Sequence, residues 1–186
     1  RVQPVDRADD LVGDVLCVQM AYYKGGTLTE LLRKNGRPSE PLLCKWFFQL
    51  ATGVADLHAK KICHRDLKSD NIFCTSAKPD ESDLLLGDLG LAVQLDNSGQ
   101  KLREFAGTPA TMAPEVLAKT VQYGLKCDVW SLACVCYQIA TGTLPAWQER
   151  EDFDSLFAAV PAQYSAGVAD MLRFALVKDP ESRPSA

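Results

Sequence analysis

Between residues 41 and 60 the apolar side chains Leu43, Trp46, Phe47, Leu50, Val54 and Leu57 recur three and four positions apart, which is the spacing that lines one face of a helix. The pattern predicts a long amphipathic helix. Just before it, Thr27-x-x-Glu30 has the form of a capping box, in which each side chain satisfies an orphan amide of the first turn, and Gly36 supplies a stop. A shorter helix is expected between them. Earlier still, the run Leu16-Cys17-Val18-Gln19-Met20, bounded by Gly25-Gly26, predicts a strand that leaves through a flexible connector.

After residue 60 the pattern changes to short apolar pieces between polar loops: Ile62-Cys63, Asn71-Ile72-Phe73-Cys74 and Leu84-Leu85-Leu86. These predict short strands. Residues 75 to 83, rich in Ser, Pro, Asp and Glu, predict an exposed hairpin loop, and residues 96 to 101 a second mobile stretch. From Asp128 the helical period returns through Val129, Leu132, Ala133, Cys136 and Ile139, with Gly142 as its stop. Further helices are expected near residues 153 to 159 and 168 to 176. The sum is an α+β domain, mainly α, with a small β patch in the middle and no internal repeat.

The length of 186 residues suits one domain, at ~100 to 200 residues each. With 47% hydrophobic and 24% charged residues, collagen-like, disordered and disulfide-scaffold classes are excluded. A net charge of −4 argues against a general nucleic-acid binder. Seven cysteines, two histidines and no C-x-x-C pair make poor metal-site material, so buried reduced thiols are expected. No apolar stretch approaches the ~18 to 20 residues of a membrane span, and no signal-peptide pattern opens the chain, so the expectation is no membrane and cytoplasmic or nuclear residence. The chain begins at Arg1 rather than Met and ends without a helix stop, which leads us to expect a piece of something longer.

The chemistry lies in the strand patch, where His64-Arg65-Asp66-Leu67-Lys68-Ser69-Asp70-Asn71 has the form H-R-D-L-x-x-x-N. Asp88-Leu89-Gly90 follows 22 residues after Asp66, then Ala113-Pro114-Glu115, Asp128-Val129-Trp130-Ser131 and Arg183. In this order the five motifs resemble those of the eukaryotic protein kinases, of serine/threonine type because of Lys68. Leu89 in place of the commoner Phe, with Asn71-Ile72-Phe73 and Gly87-Asp88-Leu89-Gly90-Leu91-Ala92, looks like the NIMA-related or with-no-lysine branches. In the second branch, chloride sensing by amides near Leu89 to Leu91 would follow. Thr111 and Ala133 stand where the family more usually has Tyr and Gly, a departure in the region of the substrate groove.

The resemblance implies transfer of the γ-phosphoryl group of ATP, with Mg²⁺, to a Ser or Thr hydroxyl of a protein substrate. Such transfer depends on positioning and electrostatic stabilisation, because charge spreads over the phosphoryl oxygens. Asp66 would orient or accept the hydroxyl proton and Lys68 would place positive charge beside the phosphate. Asn71 and Asp88 would offer hard oxygens to the metal. Met20 would be the gatekeeper, the Ala21 carbonyl and Tyr23 amide would read adenine, and Phe73 would lie under the purine. His64 and Leu89 resemble members of a packed column between lobes, Asp128 an anchor for the loop backbone, and Glu115 with Arg183 a buried ion pair. Thr108 could hydrogen-bond toward Asp66 and Lys68. Glu104, where many relatives carry a phosphorylatable residue, would pair with Arg65 in partial substitution for a phosphate. Ser98 is a further candidate modification site, and an upstream kinase or regulatory partner is expected.

On this reading the chain is a protein-kinase-like C-terminal lobe with a hinge strand. Residues 1–15 end the N-terminal lobe, 16–26 form its last strand and the hinge, and 27–186 form the C-terminal lobe, with the catalytic loop at 64–71 and the activation segment at 88–115. No G-x-G-x-x-G precedes Met20 and the first lysine is Lys24, so the piece alone is expected to be inactive and to bind ATP poorly. The alternative is a pseudokinase or regulatory scaffold that keeps the fold without turnover.

Overall fold

The computed structural model describes residues 19–96, 101–118, 122–149 and 152–186. The expectations for residues 1–18, for most of the 96–101 stretch and for Ser98 lie outside them. Gln19 and Met20, the described end of the anticipated first strand, are not in a strand.

Helix α1 (Leu28–Asn35) starts with both halves of the capping box closed: the Glu30 amide donates to Thr27 Oγ1 at 3.3 Å and the Thr27 amide donates to Glu30 Oε2 at 3.1 Å. It ends at Gly36, whose φ of 72° suits a residue without a side chain. Helix α2 (Glu40–Ala59) carries Pro41 in its first turn, where the missing amide costs nothing, and buries Leu43, Trp46, Phe47, Leu50 and Val54. Leu57, on the same stripe, is half-buried.

Two small antiparallel ladders follow. Strand β1 (Ile62–Cys63) pairs with β4 (Val93–Gln94), and β2 (Ile72–Cys74) pairs with β3 (Leu84–Leu86) in the register Ile72 to Leu86 and Cys74 to Leu84. The loop between β2 and β3 is largely exposed, as its composition suggests. Ser82 is the exception. It is fully buried, and its carbonyl accepts from Trp46 Nε1 at 3.3 Å and Lys45 Nζ at 3.2 Å, which ties the hairpin to α2.

The short α3 (Pro114–Leu117) leads to α4 (Lys126–Thr141), which is buried along almost its whole length and ends at Gly142 in the left-handed region, φ 86°. Helix α4 packs against α2 on one side and α5 (Ala166–Ala175) on another, so it is the axis of the core. The segment Phe153–Ala159 is a 3₁₀ turn rather than the anticipated α-helix. Seven residues hold few i to i+4 bonds, and packing decides their shape: Phe153 stacks on Trp130 at 6.2 Å and meets Phe157 edge-on at 5.9 Å. Of the described cysteines, Cys44 is exposed, unlike the buried thiols expected from its apolar neighbours, and the other five are buried. Among the described residues no helix is long and apolar enough to cross a membrane.

The last turns are locked by one buried ion pair. Arg183 donates to both Glu115 oxygens, at 2.7 and 3.0 Å, and to the carbonyls of Lys126, Val177 and Lys178. Every donor nitrogen of the guanidinium is thereby used, which is what makes its burial tolerable. Glu115→Ala strands that cation. Thermal unfolding should show the variant destabilised by ~3 to 5 kcal/mol, a fall of roughly 10 °C for a domain of this size, with Glu115→Gln falling less.

Candidate active site

The loop that follows β1 is built around one carboxylate. Asp128, fully buried in the first turn of α4, accepts the His64 amide on Oδ2 at 2.8 Å and the Arg65 amide on Oδ1 at 2.9 Å. His58, in the last turn of α2, reaches the same Oδ2 through Nε2 at 2.9 Å. Asp128 thus joins α2, α4 and the loop, and a helix N-terminus is a favourable place for an anion. Arg65 can then hold its unusual φ of 69°, a conformation non-glycine residues rarely adopt. His64 accepts the Asp66 amide on Nδ1 at 3.3 Å and so donates from Nε2 to the Gly87 carbonyl at 3.0 Å.

The anchored loop presents Asp66, Lys68 and Asn71 together. Asp66 Oδ2 lies 2.9 Å from Lys68 Nζ and accepts from Asn71 Nδ2 at 2.9 Å. Its Oδ1 accepts the Thr108 hydroxyl at 2.7 Å, while that hydroxyl accepts from Lys68 Nζ at 2.8 Å. Burial pushes the Asp66 carboxyl up, but the bonds from Lys68, Thr108 and Asn71 outweigh it and hold the group below the usual carboxylate range. Asp66 is therefore an anion at neutral pH, aimed at a hydroxyl. Gly107, at φ 112°, lies so close to the Arg65 carbonyl that a side chain there would collide with it, and this close approach brings Thr108 over the loop.

Asn71 also donates to the Asp66 carbonyl at 2.9 Å, so both its amide bonds point at Asp66, and among the described residues no hydrogen bond engages its side-chain oxygen. Asp88 is exposed and left-handed at φ 56°, with Oδ1 accepting only the Gly90 amide, at 3.2 Å, among the described residues. Phe73 stacks with Tyr23 at 5.8 Å, and its ring lies against Gly87, where a Cβ would strike it. Met20 and Ala21 are exposed. Leu89 is 53% exposed and lines a shallow pocket with Phe48, Leu57, Leu85 and Leu86, and the remainder of the column expected between lobes lies outside the described residues. Arg65 reaches Glu104 Oε2 at 2.8 Å and the Leu91 carbonyl at 2.6 Å, and the Tyr123 hydroxyl donates to the Glu104 carbonyl at 2.7 Å. Burial lowers the Arg65 proton affinity, and the bonds to Glu104 and Tyr123 more than restore it.

Two features escaped the sequence reading. His58 is one polar residue at the edge of a helix, and nothing local marks it as a partner of Asp128. The Cys63 and Cys127 thiols, each one residue from the Asp128 clamp, lie 3.6 Å apart, and this contact together with burial pushes the Cys127 thiol up.

The family model for the protein kinase domain matches residues 8–186. The chain belongs to the protein kinase family. Similar proteins include the serine/threonine-protein kinase Nek3 of Oryza sativa subsp. japonica, 36% identical over 94% of this chain and 30% of that protein. The serine/threonine-protein kinase Nek4 of Mus musculus is 35% identical over 92% of the chain and 22% of its own length. Mitogen-activated protein kinase kinase kinase 19 of Mus musculus is 32% identical over 93% and 14%. The chain therefore spans about a third or less of these relatives, and its resemblance to the NIMA-related group agrees with the first two.

In this kinase domain Asp128→Ala removes the acceptor of one buried and one partly buried backbone amide and of His58. Each orphaned donor costs ~1 to 3 kcal/mol, so urea unfolding should show a loss of at least about 3 kcal/mol. Asp128→Asn, which keeps one oxygen, should lose less.

Proposed function

We propose that the chain is the large lobe of a serine/threonine protein kinase that transfers the γ-phosphoryl group of ATP to a Ser or Thr hydroxyl of a protein. The observation that carries this reading is the Thr108 hydroxyl, which donates to Asp66 and accepts from Lys68. An incoming substrate hydroxyl needs the same two bonds. Asp66 would draw its proton as the oxygen attacks the γ-phosphorus and ADP departs, at hydrogen-bond range and with an already ionised carboxylate. Lys68 would hold charge against the phosphoryl oxygens as the attack proceeds.

The donor set fits a hard cation: the Asn71 carbonyl oxygen and the Asp88 carboxylate, both hard ligands with capacity to spare. Mg²⁺ bound there would neutralise charge on the phosphates. Tyr23 and Phe73 form an aromatic layer suited to a purine, with the Ala21 carbonyl and Tyr23 amide to read its edge. Residues 64–71 serve as catalytic loop and 88–115 as activation segment in this proposal.

The pairing of Arg65 with Glu104 supports a constitutive element in that segment. The Arg65 side chain is 8% exposed and Glu104 74%, so the pair joins a fixed cation to a solvent-facing carboxylate whose backbone carbonyl is held by Tyr123. Glu104 supplies −1 where a phosphate supplies about −1.5 to −2.

Labelled-ATP transfer to a generic protein substrate by the full-length protein should fall by about a hundredfold or more in Asp88→Ala, and equal rates would overturn the metal assignment. Glu104→Ala, assayed without an upstream kinase, should be several-fold slower. An undiminished rate would remove Glu104 from the control of activity.

A further inference from the structure

Two buried thiols take no part in the chemistry described above, yet they touch its anchor. Cys63 ends β1, one residue before the clamped His64, and Cys127 lies in the first turn of α4, one residue before Asp128. Their sulfurs are 3.6 Å apart across a sequence separation of 64. The Cys127 thiol also donates to Asp128 Oδ1 at 3.9 Å, the oxygen that accepts the Arg65 amide. With that proton on Asp128, the Cys63 thiol is the one that donates to Cys127. The pair is thus joined to both sides of the clamp.

Two thiols in contact can share a metal or bond to each other, and the neighbouring carboxylate decides between these. Asp128 is the third donor, with one ligand atom from each residue inside 4.8 Å. Both its oxygens already serve amides, and His58 as well. A metal would be left with two sulfurs, short of the four ligands of a structural zinc site. A disulfide needs the sulfurs alone, and forming it shortens their separation from 3.6 Å to about 2.0 Å. A cavity of about 340 Å³ leads toward them, lined by Lys61, Tyr123 and Lys126, which flank the two thiols in sequence. Cys127 is 4% exposed and Cys63 fully buried, so the oxidant must be small.

We propose that Cys63 and Cys127 are a modification site, a dithiol that hydrogen peroxide oxidises to a disulfide, and that closing the bond loosens the Asp128 clamp on the catalytic loop. One sulfur, as thiolate, attacks a peroxide oxygen; the O–O bond breaks, water leaves and a sulfenic acid remains. The second sulfur then displaces that hydroxyl as another water. Two thiols and one peroxide give one disulfide and two waters, the sulfurs losing the two electrons that the peroxide gains. The contact with Cys63 and burial push the Cys127 thiol up, so the reaction is slow and answers to sustained peroxide. Oxidation removes the Cys127 proton from Asp128 Oδ1. It also draws together the residue before His64 and the residue before Asp128, whose contacts stand at 2.8 and 2.9 Å. The left-handed turn at Arg65 depends on those contacts, and Asp66 loses its aim with them. The effect on phosphoryl transfer rests on the kinase reading above, whereas the bridge itself does not.

The test exposes the full-length protein to hydrogen peroxide, with the exposed Cys44 changed to Ser throughout so that its own oxidation does not intrude. Fragmentation mass spectrometry of an unreduced digest should find a peptide joining Cys63 to Cys127, two hydrogens lighter than its parts. Hydrogen exchange at the His64 and Arg65 amides should quicken by about tenfold or more, and labelled-ATP transfer should fall by about tenfold, all reversed by dithiothreitol. Cys63→Ala and Cys127→Ala should each form no bridge and keep their own rate in peroxide. Absence of the linked peptide, or a bridge that leaves exchange at those amides unchanged, would overturn the proposal, and neither readout depends on the variants. Equal inhibition of both alanine variants and the parent would overturn it too. A Cd²⁺ thiolate absorption band lost in both variants, with no linked peptide after peroxide, would assign the pair to a metal instead. If no state of the protein transfers phosphate, the kinase reading fails, and the linked peptide and the amide exchange still decide the switch.

Discussion

The Asp128 carboxylate is the constraint on which the rest of the site depends. One buried anion accepts from two successive backbone amides and a histidine, so the loop is clamped where it would otherwise be free to relax. Arg65 is forced into the left-handed region, and this turn directs Asp66 one way and the Arg65 guanidinium the other. From that single bend come both the cluster around the Thr108 hydroxyl and the pairing with Glu104. The anion is secured by its place in the first turn of α4, a helix buried along almost its whole length.

Much of this could be read from the residues in order, because the features concerned are local. A capping box needs four positions, and the α2 stripe needs only regular spacing. Both appear in the structure with boundaries within a residue of those expected. The proximity of Asp66, Lys68 and Asn71 is likewise a matter of a few residues within one loop. Thr108 and Glu104 are distant in sequence, and they were anticipated only because the motifs resemble a family whose loops lie in that order. What stayed hidden was set by packing across the fold. His58 gives no sign of its partner 70 residues away. The 3₁₀ form of Phe153–Ala159 depends on Trp130.

Charge in this lobe is arranged in two ways. Glu115 and Arg183 are buried, doubly bonded and surrounded by carbonyls that use the remaining donors, so they hold the end of the chain to α3 and α4 regardless of salt. Arg65 and Glu104 form a half-exposed pair that ionic strength and competing anions can reach. The first arrangement is structural, and the second can respond to its surroundings.

The segment above β2 is fastened in a way that bears on the mechanics of the domain. The Gly25 amide donates to the Cys74 carbonyl at 3.1 Å, the Cys74 amide donates to the Gly26 carbonyl at 2.9 Å, and Thr27 bridges to Phe73. A side chain at Gly25 would collide with the Cys74 carbonyl, so this close contact requires glycine. The connector is thus riveted to the strand that carries the aromatic floor. Strain entering along residues 19–24 is therefore borne by these backbone bonds at Gly25 and Gly26 before it can reach the ring of Phe73 or the clamped loop.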